Sequence, residues 1–212
     1  MKELEYWKTK FEFYFLNIKI HDKCHDVTHF QRVWKTAQEI IGNDDSIDKL
    51  VVMTSCYFHD LVNYPKDHPK RSQSSIESST KTRAELAFLG FPNDKIDQVC
   101  HCIETHSFSA NIVPESIEAK ILHDSDRMEA LGAIGIARTF YIAGMLGSKL
   151  FSEDDPFAKK RKLDDKSFAL DHFYLKLLKL SKSMRTKNGR LKADSKTLVI
   201  KQFLNDFKSE LQ

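Results

Sequence analysis

His29, the adjacent pair His59-Asp60 and, far downstream, Asp126 supply two imidazoles and two carboxylates, each inside a stretch that reads as helix. Nitrogen and carboxylate oxygen together suit Mn²⁺, Fe²⁺, Co²⁺, Ni²⁺ or Zn²⁺, and no thiolate is called for. Four protein ligands on a six-coordinate ion leave two positions for water or a substrate oxygen. Such an ion lowers the pKa of bound water from about 16 toward about 7 and polarises a phosphoryl oxygen. Taken singly, each residue is more often structural: a lone helical His is usually core or surface, and an Asp before an Arg is usually a surface pair. The run YFHD shifts that balance, because a charged pair directly after a hydrophobic run costs desolvation unless it is partnered.

The elements that must carry these ligands are helices. Leu4, Trp7, Phe11, Tyr14, Phe15 and Ile18 step by three and four along one face. Asp26 or Thr28 caps a second helix through Val33, Ala37 and Ile40 to Ile41, with Gly42 just past its end. A third runs from about Ser46 to Val62, and YPKDHPKRSQSS (64–75) reads as a loop. Helices follow over Ile76–Leu89 and Asn93–His106, the second started by Pro92. After the break SFSANIVP, one long helix carries EAKILHDSDRMEALGAIGIARTFYIAGML. Its glycines, Gly132, Gly135 and Gly144, weaken helix propensity and imply close packing against a neighbour. Leu150–Asp165 reads as loop, and helices over Phe168–Leu180 and about Lys192–Leu211 finish the chain. No alternating strand pattern of convincing length appears. The fold class is all-α.

Composition supports this. Among 212 residues, 41% are apolar and 30% charged, the profile of a soluble globular protein, and 7 Gly and 5 Pro are few for a chain rich in tight turns. A formal charge of +3 is too small to imply a nucleic-acid partner. The basic runs Lys159–Lys162 and Arg185–Arg190 lack the interleaved aromatics that such a role needs. The opening segment mixes charges into its apolar stretch, so it is neither a signal peptide nor a membrane span. Cys24, Cys56, Cys100 and Cys102 have neither zinc-knuckle spacing nor a secretory context. A reduced cytoplasmic protein is the expectation.

Several neighbours compete for roles. His25 stands one turn before His29 and Asp124 two residues before Asp126, each an alternative ligand or an orienting partner. His106 ends a helix ahead of a break, where it can reach a cleft and protonate a leaving oxygen; His101, five residues earlier, does not share its face closely. Arg32 contacts a phosphate or merely pairs with an acid. His172 and Lys176, four apart on a predicted helix, line a pocket from the C-terminal side or pack an extension.

The order H…HD…D resembles the HD-domain superfamily of metal-dependent phosphohydrolases, close to the bacterial YedJ/YpgQ group. Its first His lies inside HDVTHFQRV, its pair inside CYFHD and its last Asp inside DSDRMEALGAIGIAR. The similarity runs nearly end to end, through WKTKFEFYF, HPKRSQSS, VCHCIETHSFSA, EDDPFAKK, LDDKSFALDHFYLKLLKL and MRTKNGR. The short skeleton is moderately specific, whereas GAIGIAR and LDDKSFALDHF are highly so. One departure is His123, a position where relatives often carry Gln.

The resemblance implies a single HD-type helical bundle over 1–212, with a core of about 19–147 and a C-terminal helical extension over 148–212. It implies His29, His59, Asp60 and Asp126 as metal ligands, with His25 and Asp124 behind them. It turns His68, Lys70 and Arg71 from an ordinary solvated loop into a cationic clamp for phosphate oxygens. The implied cofactor is a divalent metal ion, Mn²⁺ first, with Mg²⁺, Fe²⁺, Co²⁺, Ni²⁺ and Zn²⁺ as alternatives. The implied activity is nucleoside triphosphate pyrophosphohydrolysis, with Asp60 and His106 in the chemistry and a small-molecule nucleotide as substrate. Its rivals are a nucleotidase or alarmone hydrolase on the same metal, and a non-catalytic nucleotide-binding sensor.

Overall fold

The structure, a computed structural model, describes residues 2–17, 27–64, 68–107 and 109–211; Ile18, Cys24, His25 and Asp26 lie outside the described residues. The described residues are predominantly α-helical, and their only β feature is an isolated parallel bridge between Lys149 and Phe168. None of their helices is long and apolar enough to cross a membrane. Two compact units divide the chain, Met1–Asp126 and Arg127–Gln212.

The first unit holds α1 (Lys2–Leu16), α2 (Val27–Ile41), α3 (Lys49–Phe58), α4 (Ser74–Phe88), α5 (Asn93–His106) and α6 (Ile117–Arg127), which reaches one residue past it. A helix apolar all round must be enclosed, and α3 is its centre, buried from Leu50 through Phe58. Asp48 caps α3 by accepting from the N–H groups of Leu50 and Val51 at 3.0 and 3.1 Å. This helix is shorter than the 46–62 expected, because it stops where the His-Asp pair begins. Around it, Trp7, Phe11 and Phe15 of α1 pack with Phe30, Tyr57, Phe58 and Phe91. Gly42 closes α2 in the left-handed region at φ 59°, and Pro92 stands immediately before α5, both as expected.

α4 meets α5 through hydroxyls rather than hydrocarbon. Its buried face is Ser74, Ser75, Ser78, Ser79, Thr82 and Leu86. Ser75 and Ser79 donate to the Glu104 carbonyl and carboxylate at 3.0 and 2.8 Å. On the other flank, Ser78 bonds both the N–H and the carbonyl of Val62, and Ser74 accepts from the Tyr64 N–H. These bonds fix the segment that follows the His-Asp pair. They also begin α4 at Ser74, two residues before the first apolar residue that the periodicity offered.

The second unit contains α7 (Gly132–Met145), α8 (Ala169–Leu175) and α9 (Lys187–Glu210), with 3-10 turns at Met128–Ala130 and Leu177–Ser183. The single long helix expected across 118–146 is broken. Leu131 is extended at φ −119° and ψ 161°, and Gly132 turns left-handed at φ 69°. Gly135 then lies so close to the preceding turn that an added Cβ would stand 2.2 Å from the Ala130 carbonyl oxygen. The glycine is spent on the chain's own turn, not on a neighbouring helix. Gly135→Ala must displace backbone and is expected to destabilise the protein by about 1–3 kcal/mol, read as a lowered urea midpoint. An unchanged midpoint would show that the turn relaxes without cost.

A second predicted helix, 168–180, is also interrupted. Lys176 departs from helical geometry at φ −128° and ψ −59°, so α8 ends at Leu175. The predicted loop 150–165 is a built structure. Asp155 accepts from the backbone N–H groups of Lys159, Lys160 and Arg161, and Arg161 forks onto the buried carboxylate of Asp171 at 2.5 and 2.8 Å. α9 starts at Lys187, five residues earlier than the periodicity suggested, where the Thr186 hydroxyl accepts from the Gly189 N–H.

Candidate metal centre

Three of the first unit's helices deliver side chains to one point from their C-terminal ends. His59 caps α3, His106 is the last residue of α5, and Asp126 lies in the final turn of α6. His29 comes from the first turn of α2. The last carbonyls of a helix lack intrahelical donors, and the helix dipole makes that end negative. Both consequences appear here. His59 Nδ1 donates to the carbonyl of Cys56 at 2.9 Å, and His106 Nδ1 donates to the carbonyl of Ile103 at 2.6 Å. A carbonyl can only accept, so each neutral ring carries its proton on Nδ1 and turns the Nε2 lone pair inward.

The inward atoms converge. His29 Nε2 and His59 Nε2 are 3.3 Å apart, and each lies 3.6 Å from Asp126 Oδ1. His59 Nε2 is also 3.6 Å from Asp60 Oδ2, while Asp60 Oδ1 faces His106 Nε2 at 3.7 Å. Two groups of donor atoms result, His29/His59/Asp126 and His59/Asp60/His106, with His59 in both. Donors roughly 2.1 Å from one ion stand about 3.0 to 3.4 Å from each other in octahedral or tetrahedral arrangement. The observed separations fall at or just above that range, so the residues present fit a divalent ion. His29 and His59 are fully buried, whereas the Asp126 and Asp60 side chains keep 28% and 15% of their exposure, leaving one side open to solvent.

The electrostatics point the same way. Burial alone would push the His59 imidazole down, but the Asp60 and Asp126 carboxylates and the Cys56 carbonyl outweigh it and hold it up at about 9. Asp126 is the complement. Burial would raise it, yet the His59 and His29 rings hold its carboxyl well below the usual carboxylate range. Without a metal the cluster therefore retains a proton. It is a place that demands positive charge.

The other predicted residues that the structure describes bond to their own neighbours. Asp124 is fully buried and accepts from His123 Nδ1 at 2.8 Å, and of the two aspartates only Asp126 enters a donor group. Arg32 Nη1 donates to the Thr28 hydroxyl at 3.0 Å. His101 places its carbonyl on the Thr105 hydroxyl. Arg71 Nη1 donates to the Asn63 side chain and to the Tyr64 carbonyl, tying the loop to itself. Lys70 is exposed and lies 3.8 Å from Glu77. His68 stacks on Tyr64.

His172 and Lys176 do not share a helical face. Lys176 has left the helix, and His172 Nδ1 bonds Asp165 at 2.8 Å within the second unit. The carbonyls of Cys56 and Ile103 are orienting partners that no side-chain pattern announces.

The HD domain family matches residues 26–131. The chain is 31% identical over 191 residues to the Bacillus subtilis protein YpgQ, covering 88% of this chain and 84% of that protein. The crystal structure of Bacillus subtilis YpgQ in complex with ADP has a TM-score of 0.69 at 28% identity, covering 99% of this chain and 95% of that one. An HD-superfamily hydrolase from Bacillus thuringiensis gives 0.71 at 26% identity, covering 99% and 97%. With its cation-seeking cluster of three histidines and two aspartates inside the matched span, the chain belongs to the HD domain family of metal-dependent phosphohydrolases.

Proposed function

We propose that this phosphohydrolase cleaves nucleoside triphosphates to the monophosphate and pyrophosphate, with Mn²⁺ as the preferred ion and His29, His59, Asp60 and Asp126 as its ligands. The observation that carries the reading is the pair of donor groups sharing His59. The crystal structure of YpgQ in complex with ADP supports a nucleotide as the ligand class. When bound, the ion supplies Lewis acidity, which lowers the pKa of a water and polarises a phosphoryl oxygen.

The protein's own residues do the rest. His29 and His59 present Nε2 lone pairs from rings that cannot turn, since His59 is locked by Cys56 and both are enclosed. Asp60 spans the cluster, one oxygen toward His59 and the other toward His106. His106 Nε2, an inward lone pair because Nδ1–H is held by Ile103, is the atom positioned to take up a proton released at the cluster beside Asp60 and hand it on to the leaving oxygen. The partly open Asp126 side admits substrate while the buried imidazoles exclude bulk water from behind.

A panel of nucleoside mono-, di- and triphosphates, run with Mn²⁺, Mg²⁺, Co²⁺, Ni²⁺ and Zn²⁺ and read by product, tests this. Monophosphate plus pyrophosphate is expected. Nucleoside plus phosphate would make the protein a nucleotidase, cleavage confined to alarmones would make it an alarmone hydrolase, and binding without turnover would make it a sensor.

A further inference from the structure

The aromatic pair Tyr64 and His68 has no part in the ligand cluster or in the packing of α3. Their rings lie parallel, 4.5 Å between centroids and 6° between planes. Both are pinned. The Tyr64 hydroxyl donates to Glu77 Oε2 at 2.6 Å, and His68 Nδ1 accepts the backbone N–H of Lys70 at 3.1 Å. The Tyr64 backbone is held on both sides, its N–H by Ser74 and its carbonyl by Arg71. Tyr64 is half-buried and His68 is exposed. An exposed imidazole is ordinarily solvated and free to turn, whereas this one is a fixed plane with one face on Tyr64.

The pair is also close to the chemistry. Tyr64 follows Asp60 by four residues, so their Cα atoms are within about 14 Å even at full extension. A nucleotide whose phosphates meet the Asp60 carboxylate has a sugar and a base still to place at that range. Every nucleobase has a π-face, and an aromatic platform accepts it whatever its hydrogen-bonding edge. The Tyr64 hydroxyl is already committed to Glu77, so the platform offers a surface and no edge-reading donor from that side.

Resting on the nucleotide reading above, we propose that the Tyr64–His68 stack seats the substrate's nucleobase, which lies on the outer face of His68. His68 is thereby a nucleobase-binding residue rather than a phosphate clamp. It gives affinity for nucleotides over bare polyphosphate, with a preference among bases that follows stacking strength, purines over pyrimidines.

The test is equilibrium binding to the full-length, Mn²⁺-loaded protein of two probes: the α,β-imido analogue of ATP, and inorganic tripolyphosphate, which has no base. His68→Ala is expected to weaken the analogue about 5- to 150-fold, the span of single-base stacking losses, and to leave tripolyphosphate unchanged. His68→Phe, which keeps the ring, is expected to restore the analogue. Equal binding of the analogue by His68→Ala and wild type overturns the proposal. So does an equal loss for both probes, or a wild type that binds the analogue no better than tripolyphosphate. Tight, His68-dependent binding of the analogue without hydrolysis of ATP would leave the stack standing and overturn the pyrophosphohydrolase reading instead.

Discussion

His59→Ala is expected to remove bound metal and hydrolysis together, because His59 is the one residue in both donor groups. The loss should exceed the roughly 10- to 100-fold that follows removal of an outer hydrogen-bonding partner of a metal ligand. Metal stoichiometry by atomic emission and turnover on one preparation check it; activity persisting with metal bound would sink the ligand assignment.

The same residue sets a pH dependence. In the metal-free protein His59 is held at about 9, above its ordinary 6.5, so its contribution to stability is full below about 6.5 and is lost as pH rises through 9. Asp126 is held low, so its contribution is present above the ordinary carboxylate range and is lost as pH falls below it. Thermal melting in chelator should therefore weaken from pH 6.5 toward 9. A divalent ion added in that window should release a proton and reverse the trend. A melting temperature in chelator that rises from pH 6.5 to 9 would contradict the assignment.

Asp171→Ala should produce the largest loss of stability in the second unit. Its carboxylate is fully buried, accepts both Arg161 nitrogens and also takes the Asp164 N–H at 2.7 Å. Removing one partner of a buried pair costs about 3–5 kcal/mol because a charge is left without its counter-ion. The Arg161 side chain keeps 21% of its exposure and can recover some hydration, so about 3 kcal/mol is the expected figure. Denaturant unfolding measures it, and limited proteolysis should find new cuts between Phe151 and Lys162. A change under about 1 kcal/mol would mean that the stack of Arg161 on Phe168 and the Asp155 turn hold the loop unaided.

Features governed by neighbours in sequence were readable in advance. Gly42 and Pro92 mark their helix ends because left-handed backbone and a missing N–H are local properties. The break at Leu131–Gly132 was not readable, since apolar residues keep helical spacing on both sides of it and a glycine for a turn looks like a glycine for packing. Nor was the start of α4, whose buried serines carry no apolar signal and find their partners 10 to 29 residues away. At the cluster, residue types and order were legible. Which nitrogen faces inward was not, because backbone carbonyls at helix ends decide it. The bonds of Arg71 and His172 were not legible for a related reason: what captures a long polar side chain is set by contacts that spacing does not encode.

The placement of His59 and His106 at helix ends has an evolutionary consequence. Each ring ends its helix with one nitrogen and offers the other to the cluster. Replacement by Asp, Glu or Cys keeps a donor atom but forfeits the Nδ1–H that satisfies the helix-end carbonyl, so a change of metal preference at these two positions also removes a helix cap.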